Sequence, residues 1–152
     1  MKKQGIIILV GIIAAIILAS VFFFSLRDRN IVGVTTYPDK NMVVLNSKTG
    51  NEFVNGSGEI TVGENEYIHM EYDLKSGSFD LALCEGNGDL SVFRDIDMSN
   101  LPDPDTAEVG SVCGTSDIKG KGSRDYKVPA GKYTVFFTIH DTVGSADVSV
   151  RK

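Results

Sequence analysis

Tryptophan is absent from this chain, and cysteine and histidine occur only twice each. Each scarcity excludes something. Without tryptophan a sugar-stacking platform would need other rings, and the aromatic strand around Tyr133, Phe136 and Phe137 reads as core instead. The four soft ligands Cys84, Cys113, His69 and His140 make a poor zinc or copper set, because no two of them lie two to four residues apart. No Gly-x-Ser-x-Gly elbow occurs, and two lone histidines are a weak basis for a triad. No catalytic residue is therefore assigned, the chain is read as no enzyme, and no cofactor is expected. Basic charge is also short. Lys2 and Lys3 are the only charges before residue 27, so 13 of the 15 basic residues and all 20 acidic residues come after them, leaving that part at a net −7. Such a surface does not displace counterions from phosphates, which argues against nucleic acid, nor does it lie on anionic lipid.

What the chain does have is one long uncharged run, Gly5 to Leu26. At about 1.5 Å per residue its 22 residues span roughly 33 Å, enough for a hydrocarbon core of about 30 Å. It reads as a transmembrane helix in contact with the lipid bilayer. The run is too long for a signal-peptide core, and no Ala-x-Ala site closes it, so an uncleaved signal-anchor is expected. Residues 1–4 are then cytoplasmic, 5–26 the anchor, 27–30 a short collar, and 31–152 an extracytoplasmic domain. The amino terminus with Lys2 and Lys3 outweighs Arg27 and Arg29, which Asp28 dilutes; this favours the N-terminus inside.

After the collar, short groups of Val, Ile, Leu, Phe and Tyr alternate with Gly, Ser, Asp and Asn. This is all-β composition, and its length suits a single β-sandwich of jelly-roll or Ig-like type. Strands are expected at 31–37, 42–45 and 59–62. In Glu66 to Leu74 the period is two: Ile68, Met70, Tyr72 and Leu74 share one face, and Tyr67, His69, Glu71 and Asp73 the other. Lys75-Ser76-Gly77 reads as a hairpin turn into 78–84, where Phe79, Leu81 and Leu83 face oppositely to Asp80, Ala82 and Cys84. Leu90 to Arg94 continues the sheet, and Gly114 to Ser123 is polar and glycine-rich. A closing hairpin is expected from 132–141 and a strand holding Ala146, Val148 and Val150, with Tyr133, Val135, Phe137 and Ile139 on one face.

Two features point to sites. The pair Cys84 and Cys113 fits one disulfide in an oxidising compartment, the alternative being two buried free thiols. Between them, residues 95–110 lose all periodicity and form a long acidic loop, in which Asp95, Asp97, Asp103, Asp105 and Glu108 are candidates for contacting a partner. Asp97, Asp103 and Asp105 are the calcium candidates, since a hard cation takes carboxylate oxygens, although the spacing is not that of an EF-hand and no metal is assigned.

The segments SGSFDLALCEGNGDLSVF and VPAGKYTVFFTIHDTVGSADVSV, with the Asp80-Leu81 pair before a Gly turn and Gly131 before Tyr133, resemble the jelly-roll β-sandwiches typified by the pre-peptidase C-terminal domain, over roughly Gly58 to Lys152. That resemblance implies a non-catalytic module of a secreted or envelope protein. The start Lys2-Lys3-Gln4-Gly5 before an apolar run is similar to archaeal pilins, which are cut after Gly; Val10 stands where the bacterial pattern has Glu. The expectation is a membrane-anchored accessory or binding module with an envelope protein as partner, or alternatively a self-assembling pilin-like subunit processed after Gly5.

Overall fold

The computed structural model describes residues 32–48, 54–86, 93, 96–108 and 110–152. The expected span 5–26 and collar 27–30 lie outside the described residues, as do Asp95 and all of the 90–94 strand except Phe93, which belongs to no strand. Among the described residues no helix is long and apolar enough to cross a membrane. They form an all-β structure: β1 (Val32–Tyr37), β2 (Met42–Ser47), β3 (Val54–Val62), β4 (Tyr67–Glu85), β5 (Cys113–Ile118), β6 (Lys121–Tyr126) and β7 (Gly131–Arg151), in one antiparallel sheet. Two 3₁₀ turns, Pro38–Lys40 and Met98–Asn100, interrupt the connections.

Two expected hairpins are not hairpins. Residues 67–85 are a single strand, as are 131–151, and the two pair with each other along nearly their whole length, from Tyr67 opposite Arg151 to Glu85 opposite Tyr133. Midway both bend. The register slips between Leu74 and Ser78, where Gly77 (φ 74°) faces the stretch holding Asp141 (φ 49°) and Gly144 (φ 143°). Only a residue without Cβ fits at Gly77, because an added carbon would overlap the Asp141 and His140 carbonyls. The polar, glycine-rich stretch 114–123 supplies all of β5 after Cys113 and the first half of β6.

The bend divides the sheet's pairings. Before it, β7 lies between β3 and the second half of β4; after it, between β2 and the first half of β4. The outer positions go to β1, which pairs β2, β3, which pairs only β7, β6, which pairs residues 68–73, and β5, which pairs residues 79–83. Folded this way, both halves bury their apolar faces in one core that joins Val43 and Leu45 of β2 to Phe79, Leu81, Phe137 and Ile139. Phe79 is central, with its ring edge-on to Tyr72 at 6.1 Å and tilted against Phe137 at 5.8 Å. At Gly56 and Gly58 strand β3 comes so near Val34, Thr36 and Val43 that a side chain would collide with them. The alternation read from the sequence holds on this inner side: Ile68, Met70, Leu74, Leu83, Tyr133 and Val135 are all buried there.

The opposite side of residues 78–84 and 134–140 is also covered. Ala82, Cys84, Phe93 and Phe136 form a second apolar cluster beneath Ile96, Met98, Leu101 and Val112, with the Phe93 and Phe136 rings stacked at 4.5 Å. The acidic loop is thus packed on the sheet through its own apolar residues.

Candidate functional site

Cys84 and Cys113 are free thiols, and both are buried. The expected bridge is not formed, and the register gives the reason. Cys113 stands opposite Leu83, so it shares Leu83's face and enters the main core, whereas Cys84 is one residue further and points into the second cluster. Neighbours on opposite faces of a sheet cannot present their sulfurs to each other. Each thiol instead donates to a carbonyl, Cys84 to Glu85 at 3.6 Å and Cys113 to Leu83 at 3.8 Å. Burial above all pushes the Cys113 thiol up to about 11 and raises that of Cys84 as well.

The loop carboxylates are used one by one for backbone geometry. Asp97 caps the Met98–Asn100 turn, its Oδ1 accepting from the Ser99 amide at 3.0 Å and the Ser99 hydroxyl at 2.5 Å. The Asp103 carboxylate accepts from the Asp105 amide, and the Asp105 carboxylate from the Lys127 amide. At Glu108 the carbonyl receives Ser111. Asp97, Asp103 and Asp105 therefore do not converge, and among the described residues no three Asp, Glu, His or Cys side chains are placed to hold a metal.

What the structure does bring together lies where the covering loop meets the bend. A cleft of about 480 Å³ opens there, walled by Ile96, Asp97 and Met98 of the loop, Asp80 of β4, Asp117 of β5 and His140 of β7. Asp80 is its floor. With a side chain only 8% exposed, it accepts from the Asp117 amide through Oδ1 at 2.7 Å and meets His140 Nε2 through Oδ2, also at 2.7 Å. A buried carboxylate needs such partners, and β5 supplies one by bulging. Phe79 pairs with Ile118 but Leu81 with Thr115, so Ser116 and Asp117 together oppose Asp80, and Asp117 takes a left-handed φ of 53°. His140 is held from behind: its amide is bonded to the Thr142 hydroxyl at 3.2 Å, and that hydroxyl donates to the Ser78 carbonyl.

The electrostatics of the rim are set by the same contacts. Asp117 is held below its ordinary range chiefly by its bond to Lys119, at 2.7 Å, with smaller contributions from Ser78 and from the charge of His140. The Ser99 hydroxyl, and then its amide, lower Asp97. Both rim carboxylates thus keep their charge into acid. Of the residues in this cleft the sequence offers only Asp97 as a site candidate; His140 is considered there as a soft ligand and set aside, and Asp80 enters only through the Asp80-Leu81 pair of the family resemblance. The signal available is the company they keep, since Ala82, Cys84 and Phe136 share that outward face and are not residues for open water.

The second histidine, His69, pairs across β4 and β6 with Asp125, Nδ1 to Oδ1 at 2.5 Å, away from the cleft. A smaller depression beside β6 holds Glu71, Asp73 and Asp147 near Lys121, which is bonded to Asp73 at 2.8 Å.

No protein-family profile and no curated protein matches the chain. Among solved structures it is similar to the enzymatically active domain of bacteriophage CBA120 tailspike protein 4 (TSP4dN, orf213), at 18% identity and a TM-score of 0.35. The match covers 78% of this chain and 17% of that one.

Proposed function

We propose that this protein is a non-catalytic binding or accessory module of the prokaryotic cell envelope, tethered through the bilayer by residues 5–26, with its β domain on the extracytoplasmic side. The folded sheet is read as a β-sandwich carried close to the membrane, and its partner as another envelope protein. The observation that carries the binding role is the cleft between the packed loop and the bend: a largely apolar recess with a few polar side chains fixed in place, Asp80 by the Asp117 amide and the His140 ring and Asp97 by Ser99. The 22-residue apolar run and the acidic composition of residues 27–152 support the location.

Impermeant labelling tests the topology, and the buried native thiols are unsuitable reporters. A Lys75→Cys substitution, at an exposed position of β4, supplies one. Reaction with a membrane-impermeant maleimide in intact cells is the expected result; protection until lysis would overturn the envelope reading. The alternative, a pilin-like subunit, rests on Lys2-Lys3-Gln4-Gly5. Mass spectrometry of the native N-terminus separates the two, a start at Ile6 favouring the filament.

A further inference from the structure

We propose that the open edge of β1 pairs with the β1 of a second copy of this chain, antiparallel about Thr35, so that two sheets join edge to edge. This deepens the module reading by naming one partner, and it rests on the membrane tether of that reading.

The folded sheet has four outer strands, β1, β3, β5 and β6, and three of their edges are protected. On β3 the Asn41 side chain stands in for a strand: its Nδ2 donates to the Thr61 carbonyl at 2.5 Å, and its Oδ1 accepts from the Thr61 amide at 2.8 Å. β5 is covered by the loop, whose Pro102 carbonyl receives the Gly114 amide at 2.9 Å and whose Ser99 carbonyl receives the Ser116 hydroxyl at 3.5 Å. β6 carries Lys121, Arg124 and Asp125, charges that a neighbouring strand would have to cover. β1 has none of these devices. Val32–Tyr37 holds no charge and no proline, and it pairs with β2 in unbroken register. Among the described residues no other backbone group is bonded to it. Such an edge is a template for one more strand.

The occupant follows from the strand's own outer face. Tyr37, 41% exposed, is the one exposed large apolar side chain among the described residues, and a Cβ at Gly33 would meet nothing within 4 Å. Both residues lie on the same side of β1, with exposed Thr35 between them. An antiparallel copy centred on Thr35 sets Thr35 opposite Thr35 and each Tyr37 opposite the other's Gly33, filling the open space twice. On the inner side the same register sets Val34 opposite Thr36. A foreign strand would have to supply both a ring and a gap, whereas β1 supplies each to itself. Charge agrees. The bases Arg27, Arg29, Lys40 and Lys48 outnumber Asp28 and Asp39 in residues 27–48, while residues 49–152 hold 18 acidic residues against 9 basic. Two copies repel through the acidic part, and the sequence around β1 is free of that excess.

A six-residue edge buries far less than the roughly 1,200 Å² of a stable soluble complex. The tether makes up the difference: residues 1–31 end where β1 begins, so copies in one bilayer meet at high local concentration. Pairing is accordingly expected in the membrane and lost in dilute detergent.

The test reconstitutes the 152-residue chain in phosphatidylcholine vesicles at low protein-to-lipid ratio. Mild copper–phenanthroline oxidation of Thr35→Cys should give a disulfide-linked dimer about tenfold faster than that of Lys75→Cys, an exposed position on β4. Opposed residues of an antiparallel pair have Cα atoms about 4.5–5.5 Å apart, within disulfide reach. Wild type, its thiols buried, should give no dimer. Energy transfer between copies labelled at Lys75→Cys reports pairing without a cross-link. Thr35→Lys and Thr35→Glu should each reduce transfer to that of unpaired chains, and donor-labelled Thr35→Lys mixed with acceptor-labelled Thr35→Glu should restore it. Tyr37→Ala should weaken pairing severalfold. Equal cross-linking rates at the two cysteines, transfer indifferent to Thr35→Lys, or no recovery in the mixture would each overturn the inference. So would release of another envelope protein by Thr35→Lys without any transfer between copies, which assigns the edge to a foreign strand. A negative result in vesicles, with Lys75→Cys labelled from outside in intact cells, removes self-pairing and leaves the module reading standing.

Discussion

At the scale of single residues, Cys84 and Cys113 show how one position along a strand decides chemistry. Their sulfurs belong to different apolar clusters, and burial keeps both protonated: Cys113 is pushed up to about 11, with Cys84 and Asp103 adding to the effect. Since the thiolate is the reactive species, neither should react in the folded protein. A disulfide-exchange reagent at pH 8 should find no thiol in native protein and two after guanidinium denaturation without reductant; fast native reaction would contradict the placement. Asp147 makes the opposite case, an unfavourable contact the fold tolerates. It stands directly across from Glu71, and its carboxyl is raised by burial first and by that neighbour second. A raised folded pKa means that stability is fully present below the ordinary carboxylate range and is lost as pH rises through the raised value. Asp147→Asn should therefore stabilise the protein at pH 7 by about 0.2–1 kcal/mol, the usual span for cross-strand pairs. Thermal melts at pH 7 and pH 3 check this, the gain shrinking at the lower pH.

At the scale of elements, the bend in β4 and β7 is the least legible part of the fold. Lys75-Ser76-Gly77 has the composition of a reversing turn, and a corner needs the same residues, because both require a positive φ and a close backbone approach. What distinguishes them is whether the partner strand bends too. That partner, 140–144, lies some sixty residues away, beyond any local pattern. Gly77→Ala should cost about 2–4 kcal/mol, combining the left-handed backbone with overlap on the Asp141 carbonyl. Urea denaturation measures it; a midpoint shift no larger than that of a surface substitution would show that the corner relaxes. The inner faces, by contrast, are readable, because alternation over Ile68–Leu74 and Tyr133–Ile139 reflects burial against a single core. The outer face is not. Its cover comes from a loop whose acidic residues draw attention while Ile96, Met98 and Leu101 do the packing.

At the scale of the whole molecule, composition discloses the all-β class, and short-range alternation discloses most strands. Neither discloses the cleft, whose floor and walls come from β4, β5, β7 and the loop, and whose key carboxylate, Asp80, has the same local pattern as any exposed strand aspartate. The order of strands has a further consequence. The strand flanked by β2, β3 and β4 is β7, the last in sequence, and nothing earlier can complete this sheet without it. While the chain is being made and moved, β1 can pair with β2 and β5 and β6 with β4, but β3 and the edges of β2 and β4 that face β7 must stay open. If the domain is exported, it crosses the membrane extended and condenses afterwards in a single late event. During that interval its excess negative charge keeps neighbouring nascent copies apart.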